Sequence, residues 1–161
     1  MIGIEEIPAE NIAEFWPLHL NYLVEDEIIT DPEDIEYFSG DAYRGLILAH
    51  MQREPDRHHI LYFTENGKRI GAAQYNTYQS EDGKCFILDF WIFPAFRGQG
   101  KGHAAFQALE TYTRKDGAAY YMLNSEKPAS VRFWKSLGFT EAGKDEWNVP
   151  LFRRGLTQMT D

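Results

Sequence analysis

The residues of this 161-residue chain best suited to chemistry lie together in Arg97-Gly98-Gln99-Gly100-Lys101-Gly102. A hydrophobic run from Cys85 to Phe93, closed by Pro94, precedes them, and a helical pattern from His103 to Arg114 follows. A strand, a tight glycine turn and a helix start together aim backbone N–H groups and the positive end of a helix dipole into one concavity. The ligand that suits such a concavity is a phosphate, and Arg97 and Lys101 add positive charge to it. A second candidate is Asp89, a carboxylate inside the apolar run, which is unusual there unless it works or is paired.

Other phosphate loops do not fit. No Gly-Lys pair is followed by Ser or Thr, as a Walker loop requires. The dinucleotide fingerprint is formally met by Gly100, Gly102 and Ala105, but position 120, where an acidic residue belongs, is Tyr. His58 and His59 are adjacent and would point to opposite faces of a strand, so they cannot chelate together; no His, Cys and Asp set has metal-ligand spacing. No Ser-His-Asp or Cys-His arrangement is identifiable, and Cys85 has no evident activating neighbour.

These residues need a frame. The chain suits one domain spanning residues 1–161, with 43% hydrophobic residues, a single cysteine and no membrane-length apolar run or signal-peptide core, and the cytoplasm is the expected compartment. Residues 1–43 hold 12 acidic and no basic residues, whereas the remainder balances at +3 within a net charge of −9. So acidic a chain is a poor candidate for nucleic-acid binding by phosphate neutralisation, and its first part suits cationic partners. Periodicity predicts a strand over 2–7 and a helix through Ile12, Phe15, Trp16, Leu20 and Leu23 that Pro17 kinks or breaks. A loop is expected over 25–36, then a helix capped by Asp41 and running to about Arg53 with Tyr43, Leu46, Ile47 and His50 on one face. Strands over 59–64 and 69–78 flank the hairpin signal Asn66-Gly67, and a third covers 86–93. After the glycine turn come helix 103–114, strand 118–123, a helix opened by Pro128, and strands 139–142 and 147–152. The order gives an α+β domain with a central, mostly antiparallel sheet.

The stretch Asp89 to Gly102 resembles the core motif of the GCN5-related N-acetyltransferases, Gln/Arg-x-x-Gly-x-Gly/Ala after a strand ending near a proline, which Arg97, Gly100 and Gly102 match. Phe133-Trp134-Lys135-Ser136-Leu137-Gly138-Phe139 resembles the family's second signature, at the usual separation. The resemblance implies a mixed sheet flanked by helices and acetyl-coenzyme A as donor, with no metal. It implies pyrophosphate binding by Arg97, Gly98, Gln99, Gly100, Lys101, Gly102 and His103, and pantetheine binding along Phe90, Ile92 and Phe93. Ser130 and Phe133, from the second signature, complete the donor site, and Lys127, Arg132 and Lys135 are candidates for the remaining phosphate.

Two positions depart from the pattern: Lys127 stands where members often have Asn, and Trp134 where a Tyr often protonates the leaving thiolate. Losing that acid costs little, because a thiol leaves near its pKa of about 8.5, whereas an ammonium near about 10.4 must first lose a proton, roughly 4.6 kcal/mol at pH 7. Asp89 and Glu126 are the candidate bases, directly or through water, and Tyr121, with Tyr120, a candidate replacement acid; Asp89 reads equally as a structural residue, and the two tyrosines read more readily as sheet residues. The acceptor implied is a primary amine, a cationic small molecule or a lysine-like side chain of a peptide, walled by the acidic N-terminal helices and aromatics such as Phe15, Trp16, Tyr22, Tyr43, Tyr75 and Tyr78. No membrane or nucleic-acid partner is expected, and a homodimer is left open. The rival reading is a catalytically inactive acyl-CoA-binding module.

Overall fold

The computed structural model describes residues 1–156, and in it seven strands join into one mixed sheet of order β1-β2-β3-β4-β5-β7-β6. The strands are β1 (Gly3–Glu6), β2 (His58–Glu65), β3 (Lys68–Thr77), β4 (Lys84–Ile92), β5 (Tyr120–Asn124), β6 (Thr140–Lys144) and β7 (Pro150–Gly155). Only the β4–β5 pair is parallel; the others are antiparallel. The α+β class and the mostly antiparallel sheet are those the sequence predicts.

Helices α1 (Phe15–Glu25), α2 (Pro32–Ser39) and α3 (Asp41–Met51) pack on one face, and α4 (Lys101–Arg114) and α5 (Pro128–Ser136) on the other. Alternation along the strands builds both cores: Ile60, Tyr62, Ala72 and Trp91 meet Phe15, Trp16, Tyr43 and Ile47, while Leu61, Phe63, Ala73 and Tyr75 meet Phe106, Leu109 and Trp134.

The structure corrects four expectations. The 25–36 loop contains most of a helix: Pro32 opens α2 at its first turn, and the Asp31 side chain caps it by accepting from Glu33 N at 3.0 Å. Pro17 lies not inside one continuous helix but in the first turn of α1, where its missing N–H costs nothing; the expected break falls before it, where the 3-10 turn over Ala9–Glu14 gives way to α1. Gly40, not Asp41, occupies the cap of α3, whose buried face is Tyr43, Ile47 and Met51, leaving Leu46 exposed. β7 begins at Pro150, because Asp145 accepts from the backbone of Trp147 and Val149 and holds those residues in the turn.

Two irregularities of β4 matter for function. Gln74 pairs with Asp89 but Tyr75 pairs with Ile87, so Leu88 is an extra residue that bends β4. β4 and β5 then pair only over Lys84–Phe86 and Tyr120–Met122. Beyond that the two strands part, and the sheet opens into a cleft.

Candidate active site

At the mouth of the cleft the chain leaves β4 through a 3-10 turn over Pro94–Phe96 and makes the glycine turn. Gly98 (φ 76°) and Gly100 (φ 73°) adopt the left-handed region, and Gly100 caps α4 with no side chain among the described residues bonded as its cap. The first N–H groups of α4 therefore face outward without a side-chain acceptor, as an anion site requires. Gly102 is small for another reason: a Cβ there would lie 2.7 Å from Cε1 of Phe133.

The cleft continues inward for about 600 Å³, past Phe90, Ile92, Arg97, Gly98, Lys101, Gly102, His103, Ser130 and Phe133. Phe90 stacks on Phe133 with centroids 5.9 Å apart, making an apolar wall. Tyr22, Ile28, Phe90, Lys127, Ser130 and Trp134 also line a contiguous pocket of about 180 Å³ that holds Asp89 and Glu126. The structure thus brings most of the predicted donor residues to one cleft and Asp89 to its inner end, with Glu126 lining the same inner pocket from its rim. Gln99 lies in the turn itself, and one residue is placed differently: the half-buried Phe93 packs against the core of α1 and α3.

Three of the predicted cations, Arg97, Lys101 and Lys127, are not free. Arg97 grips Asp26 with both terminal nitrogens (3.2 and 2.7 Å) and donates from Nε to the Ile92 carbonyl at 2.7 Å. Lys127 Nζ donates to the Asp26 carbonyl at 2.6 Å, and Lys101 Nζ lies 2.5 Å from Glu65 Oε1. Asp26, just past the C-terminal end of α1, therefore ties that helix to both sides of the cleft mouth. His103 sits 2.9 Å from Ser136 Oγ and joins α4 to α5.

Asp89 is held on two sides. His19 Nε2 lies 3.0 Å from its Oδ2, a contact in which an ionised carboxylate can only accept, and Gln74 Nε2 donates to the same oxygen at 2.8 Å while lying 3.1 Å from His19 Nε2. His19 is buried and stacks between Phe15 (5.3 Å) and Tyr43 (6.2 Å), so its ring cannot turn away. Tyr22 stacks on Trp91 at 4.1 Å, and burial together with the nearby Asp89 charge pushes its phenol well above the usual range, keeping it a hydrogen-bond donor. Ser125 Oγ lines the same pocket, buried and with no hydrogen-bond partner among the described residues.

Tyr121 is not brought to the site. It is fully buried in the core beneath α4, with its hydroxyl 2.7 Å from Thr113 Oγ1, and burial raises it further out of range of acid catalysis. Tyr120 instead bonds Asp82 at 2.6 Å. Glu126 is exposed on the rim. Cys85 is buried and its thiol is pushed up to about 12, which leaves it unreactive. His19, Gln74 and Asp26 carried no sequence signal, since their partners lie 70, 15 and 71 positions away.

A glycine turn capping α4, a cleft between diverging strands and a carboxylate at its inner end are the parts of a group-transfer site. The sequence model of the Acetyltransferase (GNAT) family matches residues 18–139, and the chain belongs to that family. It is therefore an acetyltransferase. No curated protein matches the sequence. Among solved structures, the PaiA N-acetyltransferase of Thermoplasma acidophilum, in complex with coenzyme A, is 15% identical over 96% of this chain and 99% of its own, with a TM-score of 0.71. YycN of Bacillus subtilis is 20% identical over 90% and 96%, at 0.73. YncA of Salmonella typhimurium, solved with its cofactor acetyl-CoA, is 18% identical over 100% and 97%, at 0.59. At these identities the likeness is one of fold.

Proposed function

We propose that this chain transfers an acetyl group from acetyl-CoA to a primary amine, with Asp89 accepting the amine's proton. The observation that carries the reading is Asp89 itself, anchored by His19 and Gln74 and opening into the pocket that continues from the donor cleft. The turn at Gly98–Gly102 and the first N–H groups of α4 fit the pyrophosphate, and the Phe90–Phe133 wall fits the pantetheine arm. Acetyl-CoA supplies a thioester whose carbonyl carbon the amine nitrogen attacks, so that a C–N bond forms and the C–S bond breaks. Asp89 takes the proton the nitrogen loses, directly or through one water. Tyr22 donates a hydrogen bond where thiolate charge develops, the task a tyrosine in place of Trp134 would otherwise serve.

The acceptor is a cationic amine, in solution or on a peptide. Of the 12 acidic residues before Arg44, Glu5, Glu14 and Asp26 pair with arginines and Glu6 with His59, while those on α2 remain exposed around the acceptor wall. Asp89→Asn should lower kcat by about 10²–10⁴-fold while coenzyme A binding stays within twofold or so. Full activity of that variant excludes Asp89 as the base. Assay of cationic and acidic amines side by side tests the charge argument, and equal turnover of the acidic ones overturns it.

A further inference from the structure

The sheet face beneath α1 and α3 is apolar except for one row. Register sets His58 of β2 opposite Asn76 of β3, and Gln74 of β3 opposite Asp89 of β4; Gln74 and Asn76 share a face by their two-residue spacing. The row crosses three strands and ends at His19 of α1. His58, Gln74 and Asn76 are each no more than 4% exposed. A polar row buried this deeply weakens a core unless its groups are paired in the right sense.

Donors and acceptors along the row can be counted. A carboxylate only accepts, and Gln74 gives Asp89 an N–H. That orientation turns the Gln74 carbonyl the other way, with Oε1 2.8 Å from Nε2 of His58. An amide can also lie half a turn round, which would set its carbonyl against the carboxylate; a donor on the far side prevents it. Burial pushes His58 down to about 4, so the ring is neutral near pH 7 and owns one N–H. Both ring nitrogens face carbonyl oxygens, Gln74 Oε1 at Nε2 and Asn76 Oδ1 at Nδ1 (2.9 Å), so one hydrogen serves only one of them. On Nε2 it goes to Gln74, and the Asn76 amide must turn and give up its bond to the Asp56 carbonyl; on Nδ1 it goes to Asn76, and the Gln74 amide must turn its N–H away from the Asp89 carboxylate, a charge-assisted bond that costs more to lose. The ionisable groups that act on this ring are His50 of α3 and Asp89 of β4. Asp56, before β2, meets the row through its backbone carbonyl, which accepts from Asn76 Nδ2 at 3.2 Å.

We propose that His58 is a positioning residue for Asp89: carrying its hydrogen on Nε2, it locks the Gln74 amide with the N–H toward the carboxylate and keeps Asp89 in its proton-accepting form. The proposal rests on the reading of Asp89 as the base. Nitrogen-15 NMR of the histidine rings in the unaltered protein reads the tautomer directly, with no assay and no variant. His58 should carry its hydrogen on Nε2 near neutral pH; a ring protonated on Nδ1 overturns the proposal. Kinetics give the second arm. His58→Leu should move the acid limb of kcat/KM upward by about one pH unit and lower kcat about tenfold, with KM for acetyl-CoA unchanged, because ionised Asp89 loses its fixed donor. His58→Gln, whose side-chain amide can donate, should recover part of both. An acid limb unmoved in a folded, coenzyme A-binding His58→Leu protein overturns the proposal. Failure of the base itself is separate: it shows as full activity of Asp89→Asn, whatever tautomer His58 holds.

Discussion

Gly102 shows how one residue can matter to the site without touching a reacting atom. Its φ is unremarkable for any side chain, but a Cβ would meet the Phe133 ring edge at 2.7 Å, and that ring lines the donor cleft. The clash falls on the far end of a side chain that can swing, so Gly102→Ala should unfold little more easily, by less than about 1 kcal/mol. The displaced Phe133 should instead weaken coenzyme A binding by about 1–3 kcal/mol, the usual cost of overpacking a fitted surface. Titration calorimetry with a parallel thermal melt separates the two; unchanged affinity would show that Phe133 relaxes away from the ligand. At this scale the sequence was legible where chemistry is local. The glycine turn and Asp89 announce themselves by spacing and by a charge in an apolar run. His19 looks like any helical histidine, and Gln74 like a strand residue, until the fold sets them beside Asp89.

Among the elements, the strands and α4 were legible because alternation, the Asn66-Gly67 turn and the glycine turn are strong local signals. α2 was not, because its eight residues bury none of their number and so show no apolar stripe. Pro32, which looks like an interruption, is the helix start, and Asp31 is its cap. The cap can be tested alone: Asp31→Ala should cost about 1 kcal/mol of local stability. Amide hydrogen exchange over α2 should quicken while β4 and α4 keep their protection; unchanged exchange would show that packing against α1 and α3, not the cap, sets the boundary. The opening between β4 and β5 was equally hidden. It depends on the Leu88 bulge and on a parallel pairing of three residues, both properties of register and not of composition.

For the molecule as a whole, the division of charge in the sequence becomes a division of labour across the cleft. Asp26 reaches from the acidic part of the chain to Arg97 and to Lys127, so the part proposed to face a cationic acceptor is bolted to the part proposed to hold the anionic donor. The buried polar row ties stability to pH in the same way. Folded His58 sits at about 4 against an ordinary value of 6.5, so between these values the unfolded chain binds more protons than the folded one. The sign follows: stability is complete above the ordinary value and drains away as the pH falls toward the folded one. The gap is worth about 3 kcal/mol at most, lost at up to about 1.4 kcal/mol per pH unit. Carboxylates held low, such as Glu5 by Arg69, act in the same direction but only nearer their own ordinary value of 4.5, so the upper part of the window belongs chiefly to His58. Urea unfolding from about pH 7 to about pH 5 should therefore show a steady loss in the natural protein and a clearly flatter profile in His58→Leu. Parallel profiles for the two proteins would mean that the ring charges within the folded state, and that the row around Gln74 tolerates an imidazolium.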